Sequence, residues 1–304
     1  MTTLRRLGLL LALALAPCAC AGGGGEQAAG EAATTAVSHP TSEQTTKRET
    51  RRPAPLRRLR ATVVATYPHD TNAYTQGLLL DAGGSLLESS GRYGVSDLRR
   101  VDLESGEVMR RVPLPREIFA EGLARLPAAG GQPERLVQIS WREGIALVWD
   151  AASFERLGEH RYQGEGWGLC HDAAGDRLVM SDGSSWLTFR DPESFSETGG
   201  VEAKLEGRPI GNLNELECVD GRVWANVYGS ESLVEIDLAE GRVTATVDAS
   251  GLLDAGEQRG ADVFNGIAHD PADGTFLVTG KLWPKLFRVR FEPLDSEPRG
   301  TESR

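Results

Sequence analysis

The chain has 304 residues, 40% hydrophobic and 25% charged, with a formal net charge of −11. That length holds one large domain or two ordinary ones. The acidic excess argues against nucleic acid or anionic lipid as a partner.

Arg5 and Arg6 precede an apolar run, Leu7 to Ala16, that is too short to span a bilayer as a mature helix. Small residues follow, with Cys18 and Cys20, and then Gly22 to Gly25. The pattern predicts a signal peptide over residues 1–20 and an exported, periplasmic protein. Cys20 is the candidate site of lipid attachment, with plain secretion as the alternative. A lipid anchor would be its only contact with a membrane. Residues 21–57 carry almost no large apolar side chain, and a basic stretch, Arg51 to Arg60, leads from them into the domain. Such a segment cannot bury enough surface to offset its ordering entropy and reads as a disordered linker. Residues 58–292 read as one folded domain and 293–304 as a polar tail.

The folded part repeats itself. Gln76-Gly77-Leu78, Glu121-Gly122-Leu123, Trp167-Gly168-Leu169, Asn214-Glu215-Leu216 and Asn265-Gly266-Ile267 each lead into an apolar stretch, and their first residues stand 45, 46, 47 and 51 positions apart. Strand-like runs follow each motif, for instance Arg222 to Val227 and Ser232 to Asp237. Turn signals such as Ala82-Gly83-Gly84, Asp220-Gly221 and Asp273-Gly274 separate them. Period-two alternation dominates and no helical period rivals it. A unit of this size with four short strands is a propeller blade, so the pattern predicts an all-β, five-bladed β-propeller rather than a sandwich. Thr62 to Thr66, strand-like and ahead of the first repeat, is the candidate outermost strand of the last blade, beside Phe276 to Val278 and Leu286 to Val289. It would remove an open edge there.

The residues that open the innermost strands of a propeller gather at one mouth of the channel. Here they are Gln76, Glu121, Trp167, Asn214 and Asn265, with Tyr74, Glu88, Trp141, Trp224, Asn226, Tyr228, Lys281 and Trp283 at neighbouring blade edges. Amides, a carboxylate and indoles suit a neutral, amide-bearing ligand: Gln76 and Asn214 can donate and accept, Glu121 can move a proton, and Lys281 can supply positive charge or pair with Glu121 or Glu88. A buried Trp is more often core than wall. The histidines, at 39, 69, 160, 171 and 269, show no paired spacing for a metal, and a turn role suits His69. Ser89-Ser90 and Ser184-Ser185 lack the surroundings of a nucleophile elbow. A non-catalytic peptide-binding propeller is the alternative reading. A sugar- or lactone-acting hydrolase is disfavoured, because it wants a ring of metal-binding carboxylates and histidines.

Nine stretches, in order from about residue 62 to 291, resemble the plant and bacterial glutaminyl-peptide cyclotransferases. They are Tyr67-Pro68-His69-Asp70 with Tyr74-Thr75-Gln76-Gly77-Leu78, Glu88-Ser89-Ser90-Gly91 with Tyr93-Gly94, Phe119 to Leu123, Gly166 to Leu169, Ser181 to Ser184, Leu213 to Glu217, Trp224 to Asn226, Asn265 to Ala268, and Thr279 to Phe287. The resemblance implies a five-bladed propeller that converts the N-terminal glutamine of peptides and proteins to pyroglutamate. It implies Glu121 as the proton-transferring residue and Gln76, Trp141, Trp167, Asn214 and Lys281 as pocket residues. Tyr74 and Tyr228 stand where the family commonly has Phe and Trp, and Glu88 is taken as a further substrate-contacting residue. The family needs no catalytic cofactor but can carry a structural metal ion in its channel. A monomer is expected.

Cys170 and Cys218 are the cysteines left after removal of residues 1–20. They follow the equivalent positions Leu169 and Leu216 by one and two residues. That offset turns them to opposite faces of adjacent blades, which look at each other. A disulfide and two separate buried thiols both remain open.

Overall fold

Apolar side chains at every second position let a strand bury one face, or both where neighbouring sheets cover it. The computed structural model describes residues 54–294, in which the chain forms 22 β-strands and, among the described residues, no helix. The expected signal peptide with Cys20, the linker through residue 53 and the tail from residue 295 lie outside the described residues.

The first strand, β1 (Arg57–Pro68), precedes three antiparallel four-stranded meanders. They are β2 (Thr75–Leu80), β3 (Leu86–Ser90), β4 (Asp97–Val101) and β5 (Val108–Pro113); β6 (Ala120–Leu126), β7 (Arg135–Ser140), β8 (Ile145–Asp150) and β9 (Arg156–Arg161); and β10 (Leu169–Asp172), β11 (Arg177–Met180), β12 (Trp186–Arg190) and β13 (Glu197–Glu202). A short hairpin, β14 (Lys204–Leu205) and β15 (Arg208–Pro209), leads to a fourth meander of β16 (Leu213–Val219), β17 (Arg222–Val227), β18 (Ser232–Asp237) and β19 (Arg242–Asp248). The last three strands are β20 (Phe264–Asp270), β21 (Thr275–Gly280) and β22 (Lys285–Pro293).

The strand β1 joins the last two meanders into one ten-stranded sheet. It runs antiparallel to β22, with Thr62 opposite Arg290 and Thr66 opposite Phe287, the pairing its alternation predicts. It also runs parallel to β19, with Arg57 opposite Ala245 and Arg60 opposite Asp248. That second pairing lies at the boundary between the stretch read as linker, which ends at residue 57, and the domain. Arg57, Arg58 and Arg60 look like linker charge, but they stand in solvent while Leu59 between them is buried.

The first strand of each meander packs on the first strand of the next: β2 on β6, β6 on β10, β10 on β16, β16 on β20, and β20 back on β2. The glycines of the repeat make this approach close. A Cβ on Gly77 would stand 2.6 Å from Leu123 N, one on Gly122 2.4 Å from Leu169 N, and one on Gly168 2.0 Å from Asn214 O. The fourth repeat carries Glu215 at this position. Its buried carboxylate accepts the backbone N–H groups of Leu78 (3.2 Å) and Ile267 (2.7 Å), tying β2, β16 and β20 together. Between meanders lie apolar layers; Leu79, Leu87 and Leu98 share one cluster with Leu123, Leu136 and Leu147. Cys170 of β10 and Cys218 of β16 form a disulfide, with Cα atoms 5.5 Å apart. Most residues of the outer strands β5, β9 and β13 are exposed or half-exposed.

Candidate active site

Each site residue on a first strand sits at an irregularity. The register shifts between Thr75 and Gly77, between Ala120 and Leu123, between Leu213 and Leu216, and between Phe264 and Ile267. A bulge leaves a residue out of the ladder and re-aims its side chain. The residues so freed include Gln76, Glu121, Asn214 and Asn265, the openers of the repeat. Serines on or just after second strands steady the freed carbonyls: Ser89 Oγ donates to Glu121 O, and Ser181 Oγ donates to Asn214 O at 2.7 Å.

Three of these openers, Gln76, Glu121 and Asn214, line a cavity of about 330 Å³, and Asn265 stands behind Gln76. Gln76, Glu121 and Asn214 form its polar floor and are almost completely buried. Gln76 Nε2 donates to Glu121 Oε1 at 2.8 Å. Asn265 Nδ2 donates to Thr75 O (3.0 Å) and to Gln76 Oε1 (3.4 Å), which turns the Gln76 amide so that its NH₂ faces the carboxylate. Asn214 Oδ1 is buried with no partner among the described residues.

Burial pushes the Glu121 carboxyl well above the usual carboxylate range, against the pull of Lys281; Glu143 and Glu165 push the same way as burial. Burial pulls the Lys281 ammonium down, against Glu121 and Asp262. Lys281 Nζ stands 4.9 Å from the Tyr74 ring centroid and 5.2 Å from that of Tyr228, and makes no salt bridge among the described residues. Two aromatic faces take the place of a counter-ion. Leu282, in the left-handed region with φ 61°, turns the chain after Lys281 and donates its N–H to Ala73 O.

The walls are Trp141, Trp167, Tyr74 and Tyr228. Both indole N–H groups donate to one carboxylate oxygen, Glu165 Oε2, at 2.8 Å from Trp141 and 3.1 Å from Trp167. Arg142 donates to the other oxygen (3.0 Å) and lies 3.6 Å over the Trp141 ring. Tyr228 meets Trp167 edge-on at 5.5 Å. Phe119 also lines the cavity, edge-on to Tyr74, Tyr93 and Trp141. Phe119 and Glu165 escaped the sequence reading. The signal for Phe119 was its place two residues before Glu121; for Glu165 it was the Gly164-Glu165-Gly166-Trp167 run.

One expectation is corrected. Glu88 does not line the cavity. It is buried in a polar joint, where its Oε1 accepts Thr75 Oγ1 (2.7 Å) and faces His69 Nε2 (3.3 Å). Burial works to raise its pKa, but His69, Arg99 and Thr75 outweigh burial and hold it below the usual carboxylate range. His69, bonded through Nδ1 to Trp283 O at 2.8 Å, is a structural partner rather than a free turn residue. Trp224 packs in the core with Phe276 and Phe291.

The channel metal implied by the resemblance finds no side-chain donor set. Among the described residues no group of three His, Cys, Asp or Glu could hold an ion, and both Glu215 oxygens are engaged by backbone N–H groups.

The family model described as glutamine cyclotransferase matches residues 32–291. The chain belongs to the glutamine cyclotransferase family. A curated glutaminyl-peptide cyclotransferase of Arabidopsis thaliana is 38% identical over 235 residues, covering 76% of this chain and 71% of the plant protein. The crystal structure of Myxococcus xanthus glutaminyl cyclase superposes with a TM-score of 0.69 at 41% identity, covering 79% of this chain and 100% of that one. In this cyclotransferase-family chain, then, the bulged carboxylate Glu121 faces a buried lysine across an aromatic cavity.

Proposed function

We propose that this chain is a glutaminyl-peptide cyclotransferase, which closes the N-terminal glutamine of a peptide or protein into pyroglutamate and releases ammonia. The observation that carries the reading is the buried Glu121 carboxyl, bonded to Gln76 and sharing with Lys281 a cavity of about 330 Å³ walled by aromatic rings.

Both reacting groups belong to one residue, so the enzyme has to fold the side chain back and manage protons. The neutral α-amine attacks the γ-carboxamide carbon, and as that bond forms Glu121, as carboxylate, takes the amine's proton. Charge develops on the carbonyl oxygen, where the Lys281 ammonium and Asn214 Nδ2 are the donors. Glu121 then returns the proton to the departing nitrogen. The C–N bond breaks, ammonia leaves and the lactam carbonyl re-forms, with Glu121 a carboxylate again. Asn214 Oδ1, without a partner among the described residues, accepts from the substrate's amide or amine. Trp141 and Trp167, fixed by Glu165, hold the side chain's methylenes and keep water from the reacting carbon.

The five consecutive first-strand contacts and the spacing of the repeat support a five-bladed β-propeller, with β1 as outermost strand of the last blade. The disulfide supports an oxidising compartment, and with it export to the periplasm behind the signal of residues 1–20, held by lipid at Cys20 or secreted. We propose that the protein acts as a monomer and needs no metal for the reaction, since one carboxylate carries the only proton that must move.

The direct test is ammonia release from a Gln-initiated dipeptide, with the product identified by mass as the cyclised peptide. Activity should survive exhaustive EDTA treatment. Binding of the dipeptide without turnover would return the chain to the peptide-binding alternative, and loss with EDTA restored by zinc would overturn the metal-free mechanism.

A further inference from the structure

The longest interval of the repeat, 51 positions from Asn214 to Asn265, carries additional chain between β19 and β20. Part of that chain, from Leu253 to Val263, builds a second cavity of about 340 Å³ together with the loop at Gly229 to Glu231, Phe264 and Trp283. Its apolar side is Trp283, Phe264 and Leu253, all buried, and its rim carries Glu231 and Asp262, both exposed. No Lys, Arg or His lines it.

This cavity shares a wall with the catalytic one. Tyr228 lines the first and Gly229 the second. Asp262 N–H donates to Lys281 O (2.8 Å), Lys281 N–H donates to Val263 O (2.9 Å), and Trp283 Nε1 donates to Asp262 O (2.8 Å). The Asp262 carboxylate also bears on the Tyr74 hydroxyl, whose pKa burial and Asp262 push up to about 12. The second cavity thus adjoins the Lys281 and Tyr228 side of the first, within reach of the residues that follow a glutamine held beside Glu121.

We propose that this second cavity is the subsite for the residue one or two places after the reacting glutamine, and that it favours a long basic side chain. The methylene stem of a lysine or arginine packs on Trp283 and Leu253 while its charged head meets Glu231 and Asp262. An acidic residue there meets two like charges. Arg259 lies on the same loop but does not line the cavity, and Lys285 is paired with Glu257, so neither offsets the acidic rim. Lys281 stands across the wall, where it feels both Glu121 and Asp262, so Glu231 is the less screened of the two rim charges.

The inference rests on the cyclotransferase reading, which turnover of glutaminamide, with no following residue, reports separately. The test measures kcat/KM of the full chain on C-terminally amidated tripeptides with Gln first and Lys, Ala or Glu second, and on the set with the variable residue third. Because the carboxylates are solvent-facing, the expected preference for Lys over Glu is about three- to tenfold at low salt, shrinking as salt rises. Glu231→Gln, on an exposed loop, should reduce that ratio about twofold or more by deleting one of the two charges. Lys and Glu peptides turned over within twofold of each other at both positions overturn the proposal, as does a preference that neither salt nor Glu231→Gln diminishes.

Discussion

A carboxylate that takes a proton and gives it back works best when its pKa lies near the working pH, and burial moves Glu121 in that direction. Glu121→Gln keeps the shape, and its carbonyl oxygen can still accept from Gln76, but it cannot shuttle a proton. It should lower kcat by about 10²–10⁴. Its melting temperature should be unchanged or higher at neutral pH. A buried acid with a raised pKa loses stability as pH rises above its unfolded value, and the amide removes that loss. Retention of more than a third of the activity would move the role elsewhere. The same shifts set the pH profile. Turnover needs Glu121 as carboxylate, so it falls as pH drops through a raised pKa, giving an acid limb above the ordinary 4.5. It needs Lys281 as ammonium, so it falls as pH rises through a lowered pKa, giving an alkaline limb below the ordinary 10.5. A kcat profile flat between those two ordinary values would contradict both assignments. Glu121, Gln76, Asn214 and Lys281 were legible in the sequence because each occupies a fixed offset in a repeat or motif. Glu88 was misread because a strand residue near the mouth reads alike whether it faces the cavity or an adjoining joint. What decides is His69, nineteen positions away.

At the scale of the element, the opener motif has two physical parts, and only one shows in the sequence. The glycine shows, and its reason is contact between first strands. Gly168→Ala would put a Cβ 2.0 Å from Asn214 O, a backbone atom that cannot swing aside. It should cost more than about 2 kcal/mol in denaturant melts and raise KM by displacing Asn214. Gly158→Ala in β9, where a new Cβ meets nothing within 4 Å, should be close to neutral. Equal effects would show that the close packing of first strands does not matter. The bulge is the hidden part. An extra residue in a ladder leaves no compositional mark, since Gln76, Glu121, Asn214 and Asn265 share no chemistry beyond polarity. Likewise the strand Thr62 to Thr66 was legible by alternation, whereas its extension to Arg57 was not, because three arginines around one leucine carry the composition of a linker.

For the whole molecule, the disulfide links neighbouring meanders across 48 positions of sequence. In the chain-entropy description a loop of that length stabilises by about 4 kcal/mol. The double variant Cys170→Ala, Cys218→Ala should therefore melt clearly lower while keeping its kcat at 25 °C, since neither sulfur lines the catalytic cavity. An unchanged melting temperature would mean that the apolar layer between the meanders suffices alone. The outer strands carry a different consequence. Every sheet edge is an invitation to pair with another copy, and β1 closes that invitation only where it lies between β19 and β22. The other three outer strands defend themselves by composition. β5 carries Arg110 and Arg111, β9 alternates charge through Arg156, Glu159 and Arg161, and β13 breaks its own regularity with Gly199 and Gly200 between Glu197 and Glu202. Exposed edges so composed are unfit for one another, so the chain's resistance to aggregation resides in strands that do not line the catalytic cavity.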